Sequence, residues 1–202
     1  METDKLFDRW TFDGVTVTDL SLKPYISLAP IRVPHTHGRH AQKQFAKSKT
    51  NIVERLANKL MRGGTGGKVG GRVIRTMGRM QGKKYKAMKM VEYAFDKIEK
   101  QTGQNPIQQL VAAIENAAPR EGTTRVQYGG VSYQVSVDVS AQRRLDMALR
   151  LLAMAAITGA FGKKKSVADA LADEIMLAAK NDLSSSVVKK RDETERVARG
   201  AR

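Results

Sequence analysis

Thr123 to Thr158 reads TTRVQYGGVSYQVSVDVSAQRRLDMALRLLAMAAIT. Its first half has a period of two. Val131, Tyr133, Val135, Val137 and Val139 share one face, and Ser132, Gln134, Ser136 and Asp138 share the other, the pattern of a strand. Gly129-Gly130 is a two-residue turn suited to positive φ, so Thr123 to Tyr128 and Val131 to Val139 predict one β-hairpin. At Ser140 the period changes. Leu145, Leu149, Leu152 and Ala156 recur at helical spacing. They predict a helix from a Ser140 cap to about Thr158, with Arg143, Arg144 and Arg150 on its outer side.

Outward from this stretch the pattern is helical. Thr50 or Asn51 can cap a helix to about Arg62, with Ile52, Val53, Leu56 and Leu60 inward and Gly63-Gly64 at its end. Lys83 to Gln101 places Met88, Val91, Phe95 and Ile98 on one face, and Gly103 closes it. Asn105-Pro106 supplies an N-cap followed by Pro at the first helical position. Ile107, Leu110, Val111 and Ile114 follow, and Pro119 stops that helix. Ser166 to Asp169 resembles a capping box with Asp in place of Glu, ahead of Val167, Leu171, Ile175 and Ala178. The tail from Val187 reads as a solvated helix or as an end ordered by RNA. A lone two-stranded ribbon is not self-supporting, so the hairpin must rest on helices or on RNA. The expected fold is mainly α: a bundle of about five to six helices, one protruding β-hairpin and a basic extended N-terminal arm. Residues 1–49 read as the arm and 50–202 as the helical domain.

The charge is concentrated. Arg32 to Lys89 holds sixteen lysines and arginines against Glu54 alone, which is +15 of the formal +16. A field this one-sided seeks a polyanion. Nucleic acid fits best, because no amphipathic basic helix with exposed aromatics argues for a membrane surface. The apolar run Leu151 to Ile157 is far short of the ~20 residues that span a bilayer. The absence of cysteine excludes disulfides and thiolate metal sites and suits a cytoplasmic setting.

Enzyme readings lack their parts. His35, His37 and His40 have no cysteine or carboxylate to complete a metal set, and basic neighbours oppose a cation. Polar or stacking contacts to nucleotides suit them better. Around Gly67-Lys68 a phosphate loop would need Gly where Arg62 stands and Ser or Thr where Val69 stands. Asp173 and Glu174 are adjacent, so on a helix they diverge and cannot act as an acid/base pair. No catalytic residue, metal, cofactor or small-molecule substrate is called for.

The candidate phosphate contacts are Arg39, Lys43, Lys47, Lys49, Arg62, Lys68, Arg72, Arg75, Arg79, Lys83, Lys84 and Lys86. Arg143, Arg144 and Arg150 join them, with the basic loop Lys163, Lys164 and Lys165. Bases dispersed over an arm, a glycine-rich loop, a hairpin and a tail suit a folded RNA read by shape. A DNA-binding or chromatin protein is the alternative, but it would gather its bases on a recognition helix.

Several blocks resemble a known family. They are Val53-Glu54-Arg55-Leu56 through Met61-Arg62, Gly82-Lys83-Lys84, Asn105-Pro106-Ile107 and Asn116-Ala117-Ala118-Pro119-Arg120-Glu121. Gly129-Gly130-Val131, Val137-Asp138-Val139-Ser140, Gln142-Arg143-Arg144-Leu145-Asp146, Ala172-Asp173-Glu174-Ile175 and the tail from Lys189 to Arg196 continue the match. Together they resemble the universal small-subunit ribosomal protein seven family, in its archaeal and eukaryotic branch, over residues 50–202. Thr65 to Gln81 departs from the bacterial pattern, being longer and richer in glycine. The resemblance implies a structural protein that binds the 3′ major domain of small-subunit rRNA and nucleates assembly of the head. It implies a position near the E-site tRNA and the mRNA exit path, among other head proteins. It places the hairpin tip, with Arg125, Gln127, Tyr128, Gly129 and Gly130, beside that path, and Arg143 and Arg144 at the hairpin's base on rRNA.

Overall fold

In the computed structural model, residues 4–202 are described except 39, 41, 64–67, 70–71 and 75–78. The candidates Arg39 and Arg75 therefore lie outside the described residues. Six α-helices occur among those described: α1 (Ile52–Leu60), α2 (Lys84–Thr102), α3 (Pro106–Ala117), α4 (Ala141–Ala160), α5 (Val167–Ala179) and α6 (Ser186–Gly200). Three of the polar residues expected to start them do so, whereas Ser140 stands at the N-cap of α4 without a side-chain cap hydrogen bond. Asn51 accepts from the Val53 amide at 2.9 Å, Asn105 from that of Ile107 at 3.0 Å and Ser166 from that of Asp169 at 3.0 Å. Each satisfies an amide that the first turn leaves without a helical partner. Gly103 ends α2 at φ 65°, in the left-handed region.

Helix α5 packs against α2, α3 and α4. Its Ala170, Leu171, Ala172, Ile175 and Ala178 are buried, the alanines allowing close approach of its neighbours. Met88, Phe95, Leu110, Ile114, Leu145, Leu149 and Leu152 join one apolar core, as their spacing predicts. The carboxylates Asp173 and Glu174 diverge. Asp173 pairs with Lys97 at 2.9 Å and with Lys165, while Glu174 accepts from Ser185 and Ser186. Their role is structural.

The N-terminal segment contributes to this core. Leu6, Trp10, Phe12, Leu22 and Ile26 are buried in it. Trp10 meets Phe95 edge-on at 5.6 Å and donates from Nε1 to Glu99 at 3.0 Å, so its polar end is satisfied as its rings are buried. Further along, Asn51 donates to the Ala29 carbonyl at 2.8 Å, and the Ile52 amide to that of Ser27 at 3.1 Å. One residue thus caps α1 and fastens the preceding chain to it.

Within the glycine-rich segment, read above as a loop, β1 (Lys68–Val69) pairs antiparallel with β2 (Arg72–Val73). Ile74 beyond it is buried. The larger hairpin joins β3 (Glu121–Tyr128) to β4 (Val131–Asp138), with Tyr128 opposite Val131. Gly129 and Gly130 turn it at φ 57° and 80°, angles glycine reaches without a Cβ penalty. Its base rests on α6: the Ser136 amide donates to the Ala201 carbonyl at 3.3 Å, the Arg120 amide to Glu195 at 3.0 Å, and Arg202 pairs with Glu121. The polar tail is a helix, and it braces the ribbon. Beyond that base the apolar face of Val126, Tyr128, Val131, Tyr133, Val135 and Val137 is exposed.

Candidate nucleic-acid interface

The centre of the basic face is a carboxylate. Asp146, on α4, receives Lys47 at 2.8 Å, Arg55 at 3.3 Å and Lys59 at 3.4 Å. Lys47 comes from the 3-10 turn Ala46–Lys49, and the other two lie one helical turn apart on α1. Burial alone would raise the Asp146 carboxyl. The Lys47 hydrogen bond and the charges of Lys59, Lys47 and Arg55 outweigh it and hold the carboxyl below its ordinary value. Burial lowers the Lys59 ammonium and the Arg55 guanidinium, against the pull of Asp146. Three cations on one anion leave a local excess of positive charge, which a phosphate can neutralise.

A concavity of about 720 Å³ opens beside this cluster, lined in part by Lys43, Phe45, Lys47, Lys59, Arg62 and Gln142. Arg143 and Arg150 line the neighbouring depression over Lys59 and Asp146. Lys43, Lys49, Arg62, Arg143 and Arg150 are exposed, and among the described residues they make no ion pair. The same holds for Arg79, Lys83 and Lys86 near the start of α2, and for Lys163 and Lys164 between α4 and α5. Lys68 and Arg72 stand in β1 and β2.

Other candidates have protein partners. Lys84 pairs with the buried Glu54 at 2.5 Å, and Lys165 pairs with Asp173. The expectation that Arg144 faces outward is corrected. It is only 7% exposed, paired with Asp19 at 2.9 Å and donating to Ser21. Helical spacing puts Arg144 next to Leu145 on the margin of the apolar stripe, and the N-terminal segment then covers it. Burial would raise the Asp19 carboxyl, but hydrogen bonds from Ser21 and Arg144 hold it low.

On the hairpin, Arg125 pairs across with Gln134, Gln127 with Ser132, and Tyr128 with Val131. Arg125 and Gln127 therefore project from one face and Tyr128 from the other. The tip presents a polar side and an aromatic side rather than one cluster. The histidines contact each other and the chain: His35 and His37 stack at 3.7 Å between ring centroids, and His40 bonds Thr36 at 2.9 Å.

Lys59 and Asp146 were absent from the sequence-derived candidates. The signal for Lys59 was Arg55 four residues before it, on the same side of a helix otherwise read only for its apolar face. Asp146 carried no such signal, because its partners are remote in sequence.

The fold and this face define a class: a basic, mainly α protein with a projecting ribbon and a cationic concavity built around one carboxylate. Residues 23–202 match the family described as ribosomal protein S7p/S5e. The small ribosomal subunit protein uS7 of Methanothermobacter thermautotrophicus is 50% identical over 196 residues, covering 97% of this chain and 98% of that protein. The uS7 proteins of Methanosphaera stadtmanae and Methanococcus maripaludis are also 50% identical, each over 98% of both chains. The chain belongs to the ribosomal protein S7p/S5e family. Its relatives are structural proteins of the ribosome and not enzymes.

Proposed function

We propose that this protein is a structural component of the small ribosomal subunit, in the cytoplasm, and binds the 3′ major, or head, domain of small-subunit rRNA. In this reading it nucleates head assembly and lies near the E-site tRNA, the mRNA exit path and other head proteins. The observation that carries the reading is the set of exposed cations Lys43, Lys49, Arg62, Arg143 and Arg150 around the Asp146 cluster, which make no ion pair among the described residues. Their side chains come from the segment before the 3-10 turn and the turn itself, the residues just past α1, and α4, so they follow a curved backbone rather than one groove of a duplex. Arg39, Lys68, Arg72, Arg75, Arg79, Lys83, Lys86, Lys163 and Lys164 extend the same contact. Lys47, Lys84 and Lys165 act partly through their carboxylate partners, and Arg144 holds the N-terminal segment in place.

The hairpin tip reaches the tRNA and mRNA path in this proposal, with Arg125 and Gln127 on one side and Tyr128 on the other. The test compares binding to a head-domain rRNA fragment and to duplex DNA of equal length at one salt concentration. Tighter binding to the rRNA is expected. Equal or tighter binding to the duplex overturns the reading in favour of a DNA-binding protein.

A further inference from the structure

We propose that Phe45 is a stacking platform for an unpaired rRNA base, within the cationic concavity assigned above to rRNA. The inference rests on that assignment and adds the chemical class of what enters it: an unstacked nucleobase flanked by phosphates.

Four observations place Phe45 in this role. Phe45 is 53% exposed, whereas Phe12 and Phe95 are buried and Phe7 and Phe161 half-buried; the more exposed aromatics are all tyrosines, which carry a hydroxyl for water. Its backbone sits at φ 59°, in the left-handed region. A bulky residue held there is strained, and strain of this kind persists where the surroundings over-determine it, often at a ligand contact. The surroundings here do so: the Ser48 amide and hydroxyl both donate to the Phe45 carbonyl, at 2.9 and 2.7 Å. Tyr25 supports one side of the ring, with centroids 6.5 Å apart and planes tilted by 54°. Arg55 fixes Tyr25 in turn by donating to its carbonyl at 3.0 Å.

The ring lines the same concavity as Lys43, Lys47 and Arg62. A flat apolar surface amid cations suits a nucleotide, whose base has a π-face and whose phosphates carry charge. An apolar protein side chain would fill the space beside Phe45 but leave Lys43 and Arg62 without anions.

The experiment uses the full chain and a head-domain rRNA fragment, with affinity measured over a range of salt. Phe45→Ala is expected to weaken binding about 5- to 150-fold, the loss of one stacked base, with the log–log salt slope unchanged. Phe45→Trp keeps or tightens binding. Phe45→Leu falls with Phe45→Ala, because it restores apolar volume but no π-face. Phe45→Gly raises the thermal midpoint, by releasing the left-handed strain, while it weakens binding. Affinity within about twofold of the parent for Phe45→Ala overturns the proposal, as does full retention in Phe45→Leu, which assigns the site to an apolar protein contact. If the parent chain itself does not prefer the rRNA, or Lys43→Gln with Arg62→Gln leaves the salt slope unchanged, the rRNA assignment of the whole face falls instead.

Discussion

Nζ of Lys47 lies 2.8 Å from Oδ2 of Asp146, ninety-nine residues further along the chain. The contact ties the basic turn before α1 to the helix that follows the hairpin. Arg55 and Lys59 reach the same carboxylate. The cationic face is therefore set by the packing of α1 on α4, and a single anion holds three of its cations in register.

Removing that anion should be costly. Arg55 is 2% exposed, and beside the Tyr25 carbonyl it would keep only a neutral amide oxygen where the carboxylate stood. Asp146→Asn is expected to destabilise the chain by about 3 kcal/mol, the low end for breaking a buried pair, because Asp146 itself keeps some contact with water. Urea denaturation measures this as a lower midpoint at unchanged slope.

The same carboxylate gives a pH dependence. Its folded value is held below the ordinary one, so the unfolded chain takes up the proton first as pH falls. The stabilisation is fully present above about pH 4 and is lost as pH drops through the folded value. Denaturation midpoints from pH 6 downward should show an acid limb that Asp146→Asn makes shallower.

Exposed and paired cations should separate in their effects. Neutralising Lys43, Arg62, Arg143 or Arg150 with Gln is expected to lower the log–log salt slope of rRNA binding by roughly 0.7–0.9 for each phosphate no longer neutralised, with stability little changed. Arg144→Met should do the reverse. It leaves the slope unchanged but frees Asp19 and Ser21, so limited proteolysis cuts faster near residues 15–22.

The core gives the simplest test. Leu149 is fully buried in the cluster shared by all six helices and the N-terminal segment. Leu149→Ala should cost about 2–5 kcal/mol, set by how far the site collapses, and thermal or urea unfolding reads it directly.

Deleting the hairpin tip, residues 126–133, is expected to leave this core untouched. The tip's apolar face is exposed, and the ribbon is braced at its base by α6. A thermal midpoint close to the parent's supports that separation. A collapse of folding shows that the ribbon carries part of the core.

The helices and the hairpin were legible because their signals are local. Leu145, Leu149 and Leu152 mark a stripe, Asn51, Asn105 and Ser166 mark starts, and Gly129-Gly130 marks a turn. Each depends on neighbours within four residues, which the chain order itself supplies. Ionisable side chains behave differently. Arg143 and Arg144 are adjacent in sequence, yet one is exposed and the other buried against Asp19.

The sequence by itself determined a mainly α chain with one ribbon and a cationic segment seeking a polyanion, because periodicity and net charge are properties of the chain order. Tertiary structure alone decided which cations are free. Lys84 is held by Glu54, Arg144 by Asp19 and Lys47 by Asp146, while Lys43, Arg62 and Arg150 remain open among the described residues. It also decided that Phe45 stands exposed in a strained turn and that α6 braces the hairpin. These outcomes turn on contacts between residues far apart in the chain, and a charge or a ring has no fate until the fold supplies its neighbours.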